Sequence, residues 1–397
     1  MLRPTSVAAL AILTAVTMFQ PLSTDMYLPA MPQMTRFFAT DAAGLQLTLT
    51  VFFIAFAFAQ LVYGPLSDRF GRRPVLIGGV TVFLLASAAC SLAQSLEALI
   101  AARFAQAFGA CTGTVMLRAF VRDVFDRAHA ARTMAYIGMA TALAPLIAPV
   151  LGGYLAVGLG WQWIFYVLTG LGALVLLAVA TQLPETNAHK DPAALDPIRL
   201  ITAYLALFRS PAYLGYLLAI GFGFSGLFAF IVGSPFVVIE FLGVAPENFG
   251  YFFAIGVLGF IAGAMIAGRI TLRLGIDRMV LLGTAIAMTG GLLLAGLALA
   301  GFANLAAIVA PMALYTFGHG ILLPNAGAGA VSVFPRTAGV ASAMIGFAQM
   351  MISAAASLLV GQFDDGTQVP MVVVVALCGA GAFLGYFLLT WPRREGT

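Results

Sequence analysis

The chain has few charged residues. They make up 9% of its 397 positions, whereas hydrophobic residues make up 62%. Soluble domains are roughly one-quarter charged, so the composition excludes a soluble globular protein. The apolar stretches are long enough for membrane helices, which need about 20 residues each, whereas membrane strands would show alternating segments of about 10. The sequence therefore predicts an all-α integral membrane protein.

Residues that bind metals, form disulfides or perform catalysis are also scarce. The three cysteines and three histidines show neither the spacing of a metal site nor a neighbouring nucleophile and base. The phosphate-binding sequence G-x-x-x-x-G-K-[ST] does not occur, which argues against ATP as the energy source. We therefore expect no enzyme and no cofactor, with a proton gradient as the source of energy. The residues concerned are Cys90, Cys111, Cys378, His129, His189 and His319.

Charged or turn residues divide the chain into twelve apolar segments, each long enough to cross a bilayer. The longest polar interval, from Pro184 to Leu200, leaves six segments on each side. The sequence therefore predicts an N-terminal six-helix bundle at 1–183, a central cytoplasmic loop at 184–210 and a C-terminal six-helix bundle at 211–397. The predicted spans, numbered in chain order, cover residues 7–31, 43–65, 74–94, 96–118, 132–156, 161–183, 211–238, 247–268, 279–299, 302–325, 337–361 and 369–391.

Basic residues are distributed unevenly between the two sides of these spans. With the N-terminus in the cytoplasm, all but Arg36 and Arg103 of the 19 Lys and Arg residues fall on the cytoplasmic side or at its helix ends. The positive-inside rule predicts this asymmetry, so we expect both termini to be cytoplasmic. The same placement explains the net charge of +4 without nucleic acid as a partner.

The segment G-P-L-S-D-R-F-G-R-R-P at 64–74, after span 2, has a weaker copy after span 8. This copy, G-R-I-T-L-R-L-G-I-D-R at 268–278, lies at a constant offset of 204 residues. Equivalent positions indicate a duplicated six-helix unit, and two such halves are expected to leave a cavity near the middle of the bilayer. The matched residues are Gly64 with Gly268, Arg69 with Arg273 and Gly71 with Gly275.

The first copy of this loop motif is the most specific pattern in the chain. Its glycines allow tight turns and close helix approach, and its aspartate can receive an arginine or a helix N-terminus. We favour a conformational latch between helices over a simple cluster of charges that fixes topology. The residues of the motif are Gly64, Asp68, Arg69, Gly71, Arg72 and Arg73.

Two charged residues lie at membrane depth. Asp25 falls in the outer half of span 1 and Arg103 at a similar depth in span 4. A charge there costs about 2.5 to 3.5 kcal/mol on insertion scales, so such groups are by default functional. Asp25 is predicted to be a proton site that pairs with Arg103 or shares a cavity with it. The alternatives are a hydrated, inert Asp25 and an Arg103 that locks backbone carbonyls.

Proline and glycine mark two spans. Pro21, Pro29 and Pro32 are expected to loosen span 1 around Asp25. Span 5 carries G-M-A-T-A-L-A-P-L-I-A-P-V-L-G-G at 138–153, whose small residues permit close helix contact and whose prolines permit kinks, although ordinary packing would also explain it. The residues that we assign to this motif are Pro145, Pro149, Gly152 and Gly153.

Aromatic and polar residues supply candidate substrate contacts beside Asp25 and Arg103. Tyr27 has the best claim because it adjoins the acid. For the polar groups of spans 10 and 11, a role in packing with satisfied hydrogen bonds is the favoured alternative. The candidates are Asp25, Tyr27, Arg103, Phe224, Phe228, Tyr315, His319 and Gln349, and Asn325 is a further polar group of span 10.

Together these features resemble the major facilitator superfamily over the whole chain. D-M-Y-L-P-A-M-P in span 1, R-F-A-Q-A-F-G in span 4, R-A-F-V-R-D after it and the Pro-Gly motif of span 5 are similar to the bicyclomycin/chloramphenicol resistance (Bcr/CflA) branch of drug:proton antiporters. Three positions depart from the usual pattern: Ala107 and Ala148 replace common glycines, and Leu272 stands where the first loop motif has Asp68.

The resemblance implies a multidrug efflux antiporter of the bacterial inner membrane. Protons would enter as a small amphiphilic, phenicol-like or bicyclomycin-like compound leaves by alternating access. Asp25 would be the acid tied to proton and drug, Arg103 the basic residue of the span 4 motif, and Pro145 to Gly153 the antiporter motif that limits leakage. Partners would be the substrate, protons and lipid, with a functional monomer.

Two other functions remain open on the sequence. One is a proton-coupled importer or exporter of a nutrient or metabolite such as a sugar, peptide or amino acid in the same fold. The direction in which substrate accumulates would distinguish it, and the antiporter-like span 5 disfavours it. The other is a membrane enzyme or sensor, which would need a polar catalytic cluster or an added soluble domain.

Overall fold

The computed structural model describes residues 2–390, apart from the side chains of Arg127, Ala128, Ala131, Ala135 and Arg336. Within these residues twelve helices are long and apolar enough to cross a membrane, and no strand occurs. The predicted all-α fold with twelve spans is confirmed. Four of the basic groups predicted to be cytoplasmic lie outside the described parts of the chain; they are Arg127, Arg336, Arg393 and Arg394.

Each predicted span overlaps one observed helix, and we number the helices in the same order. A shorter apolar helix, Pro197–Leu207, lies between the sixth and the seventh. The spanning helices are α1 Val7–Phe37, α2 Ala42–Phe70, α3 Arg72–Ser91, α4 Leu96–Val124, α5 Arg132–Gly158, α6 Gln162–Gln182, α7 Pro211–Phe241, α8 Pro246–Leu274, α9 Ile276–Leu299, α10 Leu305–Val333, α11 Ala338–Gln362 and α12 Val369–Leu389.

Several helices continue beyond the apolar segment that predicted them. Helix α2 runs on through Pro65 to Phe70, and α4 extends past Arg118 to Val124. Charged residues end the hydrophobic run but not the helix, because the backbone hydrogen bonds of an α-helix are internal and continue outside the hydrocarbon. The charged residues of the loop motif are therefore carried on helix ends.

The chain divides into two compact units that we describe separately. The first comprises Met1–Thr40 and Val51–Leu200, and the second comprises Asp41–Thr50 and Ile201–Thr397. The start of α2 thus groups with the second unit, and the whole polar interval from Pro184 to Leu200 groups with the first. The boundaries predicted at residues 184 and 210 remain a prediction.

Small residues set the helix contacts in the first unit. Gly113 of α4 faces the backbone of Val16, so that a Cβ at this glycine would come within 2.5 Å of the Val16 carbonyl oxygen. Gly109, one turn earlier, lies in the same way against Phe83 of α3. Phe83 also stacks on Phe19 of α1 with ring centroids 4.0 Å apart. Helices α1, α3 and α4 are therefore held at backbone contact, as membrane helices with small interface residues permit.

Candidate functional site

The first helix is interrupted next to its acid. The helix is broken first at Met18, and its second segment, Phe19–Asp25, ends at the acid; a short 3-10 turn at Leu28–Ala30 then leads into Met31–Phe37. Pro29 and Pro32 lie in the first turns of these two segments, where a missing backbone N–H is tolerated. The interruption that the prolines predicted is present directly after Asp25.

Asp25 is buried inside the first unit, with 4% of its surface exposed. The Thr24 hydroxyl donates a hydrogen bond to Asp25 Oδ1 at 2.8 Å. This burial disfavours the alternative of a hydrated, inert group at the membrane interface. A carboxyl group held in this way must exchange any proton through a narrow opening or through movement of α1.

Arg103 of α4 is fully buried. Its Nη1 donates to the Ser23 carbonyl oxygen at 3.0 Å and to Gln106 Oε1 at 2.6 Å. The guanidinium carbon lies 4.8 Å from the ring centroid of Tyr27 and 4.5 Å from that of Phe52. Its Nε and Nη2 have no hydrogen-bond partner among the residues that the structure describes. Aromatic faces, which attract cations, therefore replace part of its hydrogen bonding.

The expected ion pair between Asp25 and Arg103 is not formed in this structure. Neither residue occurs in an ion pair with the other among the described side chains. Arg103 instead binds the backbone of Ser23, two residues before the acid, because its Nη1 is directed to that carbonyl and to its own helix. The arginine thus contacts the Asp25 segment through the main chain, as the alternative of a carbonyl lock predicts.

Gln106 is a functional candidate that the sequence reasoning missed. Besides accepting from Arg103, its Nε2 donates to Ser87 Oγ at 2.9 Å, and Ser87 Oγ donates to the Phe83 carbonyl oxygen at 2.7 Å. The result is a buried polar chain from α4 to α3. The signal was the three-residue spacing of Arg103 and Gln106, which places both on one helix face.

The Pro-Gly motif of α5 packs on the acid-bearing segment of α1. Gly152 lies against the Met26 carbonyl group so closely that a Cβ would collide with it. Pro149, Gly152 and Gly153 are all buried, whereas Pro145 near the middle of this helix is half-buried. The close helix contact predicted for this motif is therefore made with the residue that follows Asp25.

The loop motif between α2 and α3 centres on Arg72. This arginine pairs with Asp68 at 2.6 Å and with Asp123 at the end of α4 at 2.9 Å. Gly71 adopts a φ of +109°, a left-handed conformation that favours glycine. The motif thus ties three helices of the first unit together, which is the geometry that a latch requires.

Not every residue of the motif takes part. At Gly64 an added Cβ would meet no atom within 4 Å. The prediction that this glycine permits a close helix approach is therefore wrong. Arg69 is exposed and lies over the Phe70 ring at 5.4 Å. Arg73 binds the Ala180 carbonyl oxygen at 2.6 Å through Nη2 and so connects α3 with α6.

Glu185, which the sequence reasoning did not single out, caps the N-terminus of α3. Its carboxylate accepts the backbone N–H groups of Arg72 at 2.9 Å and Arg73 at 3.1 Å. Partial burial acts to raise the pKa of Glu185, but backbone donors from Asn187, Arg72, Arg73 and Thr186 hold it below its ordinary value. The start of the central loop is therefore bound to the loop motif.

The second copy of the motif is held differently. Leu272, at the position equivalent to Asp68, is 94% exposed. Asp277 in the first turn of α9 instead accepts hydrogen bonds from Tyr216 of α7 and from Tyr386 of α12, the latter at 2.8 Å. A carboxylate with two phenols thus connects three helices in the second unit.

Two polar residues of α10 have satisfied packing positions in the second unit. The Tyr315 hydroxyl donates to the Gly223 carbonyl oxygen at 2.9 Å, and its ring lies against Gly226 and Gly379. Asn325 donates to the Ile321 carbonyl oxygen at 2.8 Å and accepts from Thr271 at 2.9 Å. The packing alternative that we favoured for Tyr315 and Asn325 describes both.

His319, between these two residues on α10, is different. It is fully buried, yet neither ring nitrogen has a hydrogen-bond partner within the described part of the chain. Its ring lies 5.8 Å from those of Phe224 and Phe260, and Phe224 lies 4.6 Å from Phe228. Three of the candidate contacts are therefore adjacent in the second unit, whereas Gln349 is half-buried on α11.

Known proteins are similar to this chain in sequence and in fold. A family model described as Major Facilitator Superfamily matches residues 13–358. The bicyclomycin resistance protein homolog of Haemophilus influenzae is 32% identical over 94% of both chains. Multidrug resistance protein D of Escherichia coli is 30% identical over 96% of this chain and 95% of its own. The xylose transporter XylE from E. coli, solved in a partially occluded inward open conformation, has a TM-score of 0.76 over 97% of both chains at 13% identity, which shows the fold alone.

Proposed function

We propose that this chain, which belongs to the major facilitator superfamily and to its Bcr/CflA branch, exports small amphiphilic compounds in exchange for protons. Names of relatives support the substrate class, since one is a bicyclomycin resistance protein homolog and another a multidrug resistance protein. The observation that carries the proposal is the burial of Asp25, a membrane-depth carboxyl group beside an interrupted helix and a buried arginine. Phenicol-like and bicyclomycin-like drugs are the proposed substrates.

Proton coupling in this proposal depends on the charge of Asp25. Protonation removes one negative charge from a buried segment whose backbone is held by Arg103, and the loss changes the balance between conformations. A compound that prefers the deprotonated form is then coupled to the proton, because linkage between two ligands is reciprocal. Access of the compound alternates between the two sides of the membrane.

The remaining elements of the proposal concern setting and energy source. The protein is a multi-pass membrane protein, and we place it in the bacterial inner membrane with both termini in the cytoplasm. It acts as a monomer on small molecules and does not bind nucleic acid. The proton gradient supplies its energy, and it uses no cofactor and catalyses no reaction. The basic residues in the predicted cytoplasmic loops and at the cytoplasmic ends of the helices support this orientation.

Asp25→Asn tests the proton site. The amide has nearly the same shape and can still accept from Thr24, but it cannot release a proton. In proteoliposomes with an imposed pH gradient, we expect substrate transport driven by that pH gradient to disappear. Transport of the substrate down its own concentration gradient, measured without a pH gradient, should persist. The matched control is Asp126→Asn, at an exposed acid paired with His129. Full gradient-driven export by the Asp25→Asn variant would refute the assignment.

A further inference from the structure

The second unit contains a buried imidazole without a partner. His319 is completely buried, and both its nitrogens lack hydrogen bonds within the described residues. On the same helix, the polar atoms of Tyr315 and Asn325 are bonded to protein groups. Buried polar side chains are nearly always hydrogen-bonded, because an unmade bond in an apolar environment is destabilising. The described residues therefore leave the hydrogen-bonding capacity of this imidazole to a group from outside them.

The surroundings of His319 describe what such a partner would meet. Phe224 of α7 and Phe260 of α8 face the ring, each with its centroid 5.8 Å away. On a third side lies Gly223, where an added Cβ would be 3.2 Å from His319 Nδ1. Leu322 of α10 fills this side, because its Cδ2 would lie 2.6 Å from the same Cβ, so the imidazole is enclosed and the backbone of α7 lies close to Nδ1. The three helices thus form an aromatic wall around one polar ring.

The charges near this wall are informative as well. His319 takes part in none of the ion pairs among the described residues. A neutral imidazole offers one donor and one acceptor on different edges of the ring. Such a group complements a hydroxyl or an amide, whereas a quaternary cation can neither donate a hydrogen bond to it nor accept one from it. Aromatic faces on two sides suit the apolar part of an amphiphile.

We propose that His319 is a hydrogen-bonding contact for the transported compound and selects uncharged amphiphiles that carry a hydroxyl or amide group. That the bound compound is also transported rests on the proposed function, but binding itself requires only the second unit. Phe224 and Phe260, which are both half-buried, form the sides through which the compound reaches the imidazole. Phe228, packed on Phe224, extends the apolar surface.

Binding and export by two variants test this role. His319→Leu removes donor and acceptor at similar volume, and His319→Gln restores both. Chloramphenicol, an uncharged amphiphile with hydroxyl and amide groups, and tetraphenylphosphonium, a cation without them, are the probes. We expect His319→Leu to weaken chloramphenicol binding about tenfold or more, as the loss of one hydrogen bond to a ligand does. The same variant should bind tetraphenylphosphonium as the unmodified protein does. His319→Gln should recover most of the lost chloramphenicol affinity. His129→Leu, at an exposed histidine, is the matched control.

A second measurement leaves His319 intact, in case its variants fold poorly. Because the chain has three histidines, His129→Gln with His189→Gln makes His319 the single nitrogen-15-labelled histidine. Chloramphenicol should shift its ring nitrogen signals, and tetraphenylphosphonium should not. An unshifted spectrum at saturating chloramphenicol, or equal loss of both probes in His319→Leu, overturns the proposal. A shift in a chain that does not export refutes the transport function and leaves this binding site standing.

Discussion

Arg103 shows how one buried cation is stabilised by several weak contacts. One of its nitrogens makes both of its hydrogen bonds, and the aromatic rings of Tyr27 and Phe52 face the guanidinium plane. A desolvated cation over an aromatic ring is stabilised by about 2 kcal/mol or more. This arrangement explains how the arginine is kept in the first unit although no carboxylate among the described residues pairs with it. It also fixes the carbonyl of Ser23, two residues from Asp25.

Arg103→Lys tests whether the shape of the guanidinium matters beyond its charge. The ammonium group is more strongly hydrated and lacks the planar fork, so it cannot keep both hydrogen bonds and the ring contacts. We expect a loss of about 1.5 to 3 kcal/mol of stability, as for the loss of a hydrogen bond to a charged group, seen as a lower melting temperature of the purified protein. Gradient-driven export should fall in parallel.

The matched control for this change is Arg36→Lys, at an exposed arginine of α1. It should melt as the unmodified protein does. If the two lysine variants behave alike, the aromatic contacts of Arg103 have no energetic role, and only its charge is required.

At the scale of helices, the contact of α5 with α1 links a sequence motif to the proton site. Gly152 touches the Met26 carbonyl group, and a backbone atom cannot rotate away as a side chain can. The buried face of this helix consists of small residues and Pro149, whereas Ile147, Leu151 and Tyr154 point outward. The motif therefore positions the interrupted segment that carries Asp25.

Gly152→Ala is predicted to disturb that segment with a single added methyl group. Overpacking of this kind costs typically about 1 to 3 kcal/mol, and we expect lower thermal stability together with reduced proton-coupled export. Gly158→Ala is the control on the same helix, since a Cβ there would meet no atom within 4 Å. Equal export by both variants would show that the close contact with Met26 is dispensable.

At the scale of the whole molecule, the sequence predicted some features better than others. The twelve spans were recognisable because hydrophobic length is a local property, whereas helix ends such as Phe70 and Val124 were missed because charge does not terminate a helix. The burial of Asp25 followed from its position in an apolar segment. Its lack of an ion pair with Arg103 did not, because the choice between a carboxylate and the Ser23 carbonyl depends on side-chain direction.

Contacts between distant positions were the least predictable. Glu185 lies in a polar interval that reads as a solvated loop, and its bond to the N–H of Arg72 joins residues 113 positions apart. Similarly, the Gly152 contact with Met26 depends on the crossing of two helices. For His319 a satisfied packing role was favoured over a substrate contact, and only the three-dimensional structure reveals that both its nitrogens lack partners among the described residues.

At the start of the central loop, the carboxylate of Glu185 anchors the loop to α3. Protonation of this carboxylate should release the loop. A lowered pKa means that Glu185 stabilises the anchored loop above its ordinary pKa of 4.5, and that this contribution is lost as the pH falls through the lowered value. The protection of residues 184–191 against hydrogen exchange, taken relative to the intrinsic rate at each pH, should therefore be high at about pH 6 and should fall as the pH drops below 4.5 through the lowered pKa. In Glu185→Gln this loop should be poorly protected across the whole pH range, since the neutral amide caps α3 poorly. Glu247→Gln in the first turn of α8 is the control and should retain slow exchange of this loop at the higher pH. A loop equally protected in both variants would mean that Asn187 and Asp191, which also bind the Asp68 carbonyl oxygen, are sufficient to anchor it.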